Sequence, residues 1–265
     1  MNFITTNHRG GLGNVLFKLA ACISLAMENN INYSFSREFI RPSKDPDYNT
    51  YADNILRNIK FSDKLNFNYS TYRERAFNYN KVPYTRGTNL LLDGYFQSEK
   101  YFIANKGKII DIFKPTENIK NTILKSFPDI SKFCSIHVRR GDYLSSPNCH
   151  PQQPIDYFIE AVNIIGKDKT YLIFSDDLEG IKGMFDFIPN KIFYTSGKDW
   201  LDLYTMSMCG HNIICNSTFS WWAAYLNENR NKKVITTGYW FGPKYADHDT
   251  SSLFPSDWIV IKNKR

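Results

Sequence analysis

Short runs of β-branched and apolar residues recur along the chain, separated by longer stretches whose apolar positions repeat every three or four residues. The first kind predicts strands and the second helices with one buried face. Phe3-Ile4-Thr5 predicts a strand that runs into Gly10-Gly-Leu-Gly-Asn14 and then a helix carrying Leu16, Leu19, Ala20, Ile23 and Met27 on one side. Residues 37–90 show no clear period. They are rich in Asn, Tyr, Lys and Arg and interrupted by Pro42, Pro46 and Pro83, so short helices and loops are expected there. Leu90-Leu-Leu-Asp-Gly-Tyr-Phe-Gln97 predicts a strand ending in a turn. Ser98 then caps a helix with Tyr101, Phe102 and Ile109, and 109–127 is a mostly helical connector.

From Cys134 onward the alternation is regular. A strand around Ile136 precedes a helix at 154–165, which has Pro154 near its start and Gly166 after its end. A strand at 171–174 leads to a short helix after Asp177. A strand at 191–194 leads to a helix that Asp199 caps and that reaches Cys209. A strand at 212–215 leads to a helix that Ser217 caps, ending near Asn227, and a strand at 233–236 follows. Alternating β and α elements imply an α/β fold with a parallel sheet covered by helices on both faces. No Gly/Ser linker appears, so the domain boundary is expected as a compact hinge near Asp129, giving 1–129 and 130–265.

At 265 residues, 42% hydrophobic and 16% aromatic, the chain can bury a full core in one large or two small domains. No apolar run is long enough to span a bilayer, and the N-terminus lacks the basic and apolar regions of a signal peptide, so a cytoplasmic location is expected. The five cysteines are odd in number, scattered and without a CxxC pair, which argues against a disulfide framework and a zinc site. Cys22, Cys209 and Cys215 lie in apolar surroundings and read as buried thiols. The net charge of +7 favours an anionic ligand, while the dispersal of the basic residues argues against nucleic acid.

The strand beginning at Cys134 ends at Gly141 and so delivers His137, Arg139, Arg140 and Asp142 to its C-terminal end, where open α/β sheets bind ligands. Two guanidiniums suit a diphosphate, because each presents a planar fork of donors. Asp142 is placed to orient one fork by a hydrogen bond; the plainer reading is that one Arg pairs with Asp142 structurally and only the other meets a ligand. His137 alternates with Arg139 and is expected on the same side, in ligand contact, although a lone strand histidine is ordinarily a satisfied core residue. Gly11 and Gly13 let backbone approach a ligand, but the pattern is neither a dinucleotide fingerprint nor a Walker A loop. It reads equally as a tight turn with Asn14 capping the helix. Asp176 and Asp177 end another strand, and a carboxylate there can accept from a guanine edge or ribose hydroxyls, while at least one of the two is expected to cap the next helix. Asn216-Ser-Thr-Phe-Ser-Trp-Trp222 ends a strand and opens a helix, so Ser217, Thr218 and Ser220 lie beside free N–H groups that suit phosphate, with Asn216 and Phe219 in the same stretch and Trp221 and Trp222 in the core. Asp45-Pro-Asp47 and Asp247-His-Asp249 match the Asp-x-Asp pattern of metal-dependent sugar transferases, but both sit in turn-like contexts and read as structural.

His137-Val-Arg-Arg-Gly-Asp-Tyr143, Gly10-Gly-Leu-Gly-Asn14, Gly94-Tyr-Phe-Gln-Ser-Glu-Lys-Tyr-Phe102, Phe174-Ser-Asp-Asp177 and Asn216-Ser-Thr-Phe-Ser-Trp-Trp222 together resemble the α-1,2-fucosyltransferase family, glycosyltransferase family 11. The blocks fall in the family's order and cover most of the chain except 37–85. The His-x-Arg-Arg-x-Asp part is shared with α-1,6- and protein O-fucosyltransferases, so it specifies the donor more than the linkage. The resemblance implies a GT-B fold: two Rossmann-like domains whose parallel sheets face a central cleft, the first on the acceptor side and the second binding the GDP-sugar. It also implies GDP-fucose as donor, an oligosaccharide acceptor, inversion at the anomeric carbon, no cofactor and no required metal. By position, Arg139 binds the diphosphate, His137 and Asp176 the nucleotide, Ser217 to Ser220 the β-phosphate, and Asn14 approaches the fucose. Val15 departs from the family, which usually has Gln there.

Inverting transfer is a single displacement in which the leaving GDP gains negative charge, and Arg139 with the helix at Ser217 stabilises that charge in place of a metal. The acceptor hydroxyl needs a general base. His150, in the loop after the Arg-rich motif, is the expected base, since family members often carry a histidine there and an imidazole suits neutral pH. Asp142 is the alternative, as is the donor's own diphosphate. A different GDP-deoxysugar on the same fold, or a catalytically silent GDP- or nucleic-acid-binding module, are the other readings of the chain.

Overall fold

The structure, a computed structural model, describes residues 2–7, 10–36, 48–63, 65 and 67–262. The chain divides into two compact units, Met1–Lys114 with His248–Pro255, and Pro115–Asp247 with Ser256–Arg265. The division comes at Pro115, ahead of the hinge expected near Asp129. The reason is visible at the end of helix α4 (Glu117–Ser126), where the Phe127 ring packs edge-on against Tyr194 with centroids 5.0 Å apart and so belongs to the second unit. Residues 248–255 leave the expected contiguous second domain because hydrogen bonds tie them to the first unit. The Tyr79 N–H donates to Ser252 Oγ at 2.6 Å and Asn78 Nδ2 donates to Asp249 Oδ2 at 2.9 Å.

In the first unit the described strands β1 (Phe3–Thr6), β2 (Asn32–Tyr33), β5 (Ser70–Arg73) and β6 (Leu90–Asp93) form a parallel sheet in the order β2-β1-β6-β5. A separate parallel pair joins β3 (Phe35–Ser36) to β4 (Phe61–Ser62). Helix α1 (Leu12–Glu28) is buried along most of its length, with Leu16, Phe17, Leu19, Cys22 and Ile23 in the core. Its N-cap is Gly11 rather than Asn14, which lies inside the first turn. Gly10 before it has φ +106, a left-handed conformation that a side chain rarely adopts. Two short helices, α2 (Tyr48–Asp53) and α3 (Lys106–Phe113), also belong to this unit.

In the second unit the described strands β7 (Cys134–Val138), β8 (Tyr171–Ser175), β9 (Lys191–Phe193), β10 (His211–Ile214), β11 (Val234–Thr237) and β12 (Ile259–Ile261) form a parallel sheet in the order β12-β11-β10-β7-β8-β9. Helices α5 (Ile155–Ile165), α6 (Asp199–Ser207) and α7 (Thr218–Tyr225) connect them. Ile136 registers with Ile173 on one side and Ile213 on the other, and Tyr157, Phe158, Ala161 and Val162 of α5 pack on this centre. Every residue of β7 is buried, since a central parallel strand is covered on both faces. Asp199 opens α6 while Lys198 holds the cap position. Among the described residues no helix is long and apolar enough to cross a membrane.

Candidate active site

The carboxyl end of β7 holds the Arg-rich loop between the loops that follow β8 and β10. Arg139 Nε and Nη2 donate to Asp142 Oδ1 at 3.1 and 2.8 Å, and Nη1 lies 3.1 Å from Asp176 Oδ2. A guanidinium has five N–H donors, so the two spent on Asp142 leave donors on both terminal nitrogens, with the side chain 37% exposed. Burial works against this charge, but Asp176 and Asp142 hold the Arg139 pKa above its usual value. Arg139 is therefore a permanent, oriented cation.

Asp176 does more than face that cation. Its Oδ1 accepts from the Arg140 backbone N–H at 2.9 Å. Asp176 thus brackets the loop while its side chain stays 25% exposed. Asp177 accepts from Gly180 N–H and from Arg140 Nε, both at 2.9 Å, and the backbone donor and then Arg140 hold its carboxyl below the usual range. Asp177 is the carboxylate that caps the following turn. Arg140 also reaches Gln152 Oε1 at 3.2 Å, which spends it on the scaffold.

His137 is buried, at 4% exposed, with Nδ1 3.3 Å from Cys215 Sγ and its ring 5.4 Å from Phe219. Burial, then the charge of Arg139, lowers its pKa to about 3, so it is neutral at any working pH. Asn216 is buried with Nδ2 donating to Pro151 O and Trp240 O, so its amide ties two loops together and is withdrawn from ligand contact. Ser220 is fully enclosed and donates to Ser217 O, so the contact expected of its side chain also gives way to packing. Ser217 holds the N-cap position of α7 but its hydroxyl makes no capping bond, which leaves the first N–H groups of the helix open to an anion. Thr218 and Phe219, in the first turn of that helix, are half-buried.

Tyr143 is the residue that the sequence left without a role. Its hydroxyl donates to Asn216 O at 2.8 Å, joining the Arg-rich loop to the segment that opens α7, and its ring lies 5.9 Å from the Arg139 guanidinium carbon. An aromatic directly after the Arg-rich motif was the available signal. His150 stacks on Tyr143 with centroids 4.9 Å apart and lies near Phe241 and Tyr245. Half-buried there, it has a pKa lowered by burial and partly restored by Asp142.

In the first unit Asn14 Oδ1 accepts from Gln97 Nε2 at 3.0 Å, and buried Lys18 donates to Asn7 Oδ1 at 2.9 Å. Gly11 is exposed at the start of α1, while Gly13 is buried in its first turn. Asp45 and Asp47 lie outside the described residues. Asp249 accepts from Ser251 N–H, the bonding of a turn, and from the distant Asn78 Nδ2. Among the described residues no group of three or more His, Cys, Asp and Glu stands close enough to hold a metal ion.

The two parallel α/β units have the fold of the GT-B class of glycosyltransferases. The fold is shared with the α-1,6-fucosyltransferase NodZ from Bradyrhizobium, solved in co-crystals with GDP, at a TM-score of 0.56 and 14% identity over 84% of this chain and 92% of that one. The chain belongs to glycosyl transferase family 11, whose profile matches residues 2–262. The O-antigen biosynthesis glycosyltransferase WbnK of Escherichia coli is 30% identical over 64% of this chain and 60% of that protein. The α-1,2-colitosyltransferase of Escherichia coli is 25% identical over 99% of this chain and 100% of that protein.

Proposed function

We propose that this glycosyltransferase moves L-fucose from GDP-fucose to a galactose-type hydroxyl of an oligosaccharide, forming an α-1,2 linkage with inversion. The observation that carries the reading is Arg139, held by Asp142 and Asp176 with donors left on both terminal nitrogens beside the open N-terminus of α7. Those groups suit the two phosphates of a sugar nucleotide and the charge that develops as GDP leaves. Asp142 and Asp176 hold the guanidinium in one orientation, which limits the reorganisation needed at the moment of reaction. Family 11 membership and the GDP-bound relative of the same fold support the nucleotide.

His150 is the proposed general base. Its lowered pKa keeps the imidazole neutral and able to accept the hydroxyl proton at pH 7. Asp142 is less suited, with Oδ1 already receiving two N–H groups from Arg139. Transfer requires no metal on this reading, since Arg139 and α7 take the role that a divalent ion fills elsewhere.

A second reading keeps the chemistry and changes the sugar. The full-length similarity to a colitosyltransferase favours colitose as the alternative deoxysugar. Purified protein supplied with GDP-fucose, GDP-colitose or UDP-galactose and a galactoside acceptor tests both, with mass and anomeric configuration of the product read by NMR and EDTA present in a parallel set. Fucosyl product in both sets is expected. Colitosyl product alone selects the second reading, turnover only of the UDP-sugar overturns both, and activity lost in EDTA and restored by Mn²⁺ overturns the metal independence.

A further inference from the structure

Cys215 and His137 are both buried, and they meet at the carboxyl ends of neighbouring strands β10 and β7, with Sγ 3.3 Å from Nδ1. The Arg139 backbone N–H and the Ser220 hydroxyl also reach this sulfur. A backbone N–H can only donate, so the sulfur already acts as an acceptor on that side. An imidazole nitrogen is a far better acceptor than a thiol, and a thiol hydrogen is used best when it points at one. The Ser220 hydroxyl gives its hydrogen to Ser217 O, so toward the sulfur it is the competing, weaker acceptor. With Sγ–H donating to Nδ1, the thiol hydrogen goes to the best acceptor in reach and the imidazole proton resides on Nε2. With Nδ1–H donating to sulfur instead, a weak acceptor receives another donor and the ring's good acceptor goes unused. Nε2 has no hydrogen-bond partner among the described residues, although the side chain is 4% exposed.

We infer that Cys215 is a positioning residue: its thiol fixes His137 as the Nε2–H tautomer, so that this one N–H donates to an acceptor atom of the bound nucleotide. The inference rests on the nucleotide site proposed above. It adds to that site a neutral donor whose direction is set by a group that does not itself touch the ligand. Burial keeps the imidazole from charging, so its character as donor does not change with pH over the working range. A neutral donor beside Arg139 adds selectivity without adding charge. It rejects a ligand that presents a donor at that position, because two facing hydrogens leave both groups unpaired.

The test is long-range ¹H–¹⁵N correlation NMR on the full chain labelled at histidine. There are five histidines, and the His137 signals are assigned by their loss in His137→Asn. The parent and Cys215→Ser, which keeps a hydroxyl donor, are expected to show the Nε2–H tautomer. Cys215→Ala is expected to show a mixture and to bind GDP about fivefold more weakly, the scale of one neutral hydrogen bond. A Nδ1–H tautomer in the parent, or an unchanged tautomer in Cys215→Ala, overturns the role of the thiol. Titration of the parent with GDP and, separately, inorganic pyrophosphate reads the ligand half. A shift at Nε2 with GDP alone assigns the acceptor to the nucleoside, and a shift with both assigns it to a phosphate oxygen. No shift with either, alongside the expected tautomer, overturns the contact and with it the placement of the nucleotide at β7, while leaving the thiol's control of the ring intact.

Discussion

The two units use the same device at the carboxyl end of their sheets and finish it differently. Glu74 stands one residue past β5 and Asp176 one residue past β8. Each carboxylate crosses to the loop after its parallel neighbour, β6 or β7, and accepts a backbone N–H there. Each loop carries a glycine against the carboxylate, Gly94 by Glu74 and Gly141 by Asp176, where a Cβ would collide. Glu74 spends both oxygens on backbone, from Tyr95 N–H at 2.7 Å and Phe96 N–H at 3.0 Å, while Phe96 sits at φ +53. Asp176 spends one oxygen on backbone and turns the other to Arg139. The first arrangement is a staple whose carboxylate has its pKa raised by burial and is used up in holding a turn. The second holds a turn and aims a cation. Comparing them separates what a strand end needs for folding from what this one adds for a ligand.

Replacing the aimed cation is the severest way to break that contrast. Arg139→Lys keeps the charge but loses the planar edge that Asp142 and Asp176 orient, and a bidentate site does not tolerate the exchange. The expected loss in kcat/KM is on the order of a hundredfold or more, the scale of removing one preorganised charge stabiliser. Activity within a few-fold of the parent would reduce Arg139 to the structural role that Glu74 plays in the other unit.

His150→Ala comes next. As the general base, His150 contributes about a hundredfold to kcat, and its loss should leave GDP affinity near the parent value. The parent's rate should also rise with pH through a pKa below the usual 6.5, because burial favours the neutral ring that accepts the proton. His150→Phe separates chemistry from packing. It keeps the stack on Tyr143, so a His150→Phe variant with parental turnover would make the residue a support for Tyr143 and remove it as a base.

Much of this is legible in the sequence. β7 announced itself because Ile136 and Val138 are β-branched and Gly141 stops the strand, and the regular alternation after Cys134 gave five of that unit's strands their approximate places. β12 escaped notice, being a three-residue edge strand with Ile259 and Val260 exposed. β5 did too, because an edge strand with mostly exposed Ser, Thr and Arg carries no apolar alternation. In the site, residue types pointed to the right loop but not to the partners within it. Arg139 and Asp142 are three apart and their pairing follows from spacing, whereas Asp176 crosses from a neighbouring strand, a contact that exists only once the sheet is registered. Likewise Ser220 and Asn216 are polar and so looked available, but their burial is decided by how α7 and the 240s loop pack.

The paired glycines test the comparison directly. Neither has positive φ, so alanine acts through the collision and not through backbone strain. Gly141→Ala displaces Asp176 and lets Arg139 drift, which should lower kcat/KM on the order of tenfold or more by misplacing a reacting contact. Gly94→Ala presses on Glu74 near its backbone and should destabilise by about 1–3 kcal/mol, the usual range for overpacking, with GDP affinity unchanged. Calorimetry and GDP titration on both variants read the two effects. A Gly94→Ala protein that loses GDP affinity as Gly141→Ala does would show that the first unit's turn also serves the nucleotide.

The smallest effect is expected one residue from the largest. Arg140 follows Arg139 in the chain, yet its guanidinium turns to Asp177 at 2.9 Å and Gln152 at 3.2 Å, and its backbone N–H is the one Asp176 holds. Arg140→Lys leaves that backbone contact untouched and keeps a charge for Asp177, which is also capped by Gly180 N–H. Only the bond to Gln152 is forfeited outright, at a partly exposed pair that water screens, so the cost should be about 0.5–1 kcal/mol. The melting temperature should fall by only about 1–4 °C, while kcat/KM stays close to the parent's. A large loss of turnover in Arg140→Lys with little change in melting temperature would mean that both guanidiniums meet the diphosphate, and that the pairing with Asp177 is broken when the donor binds.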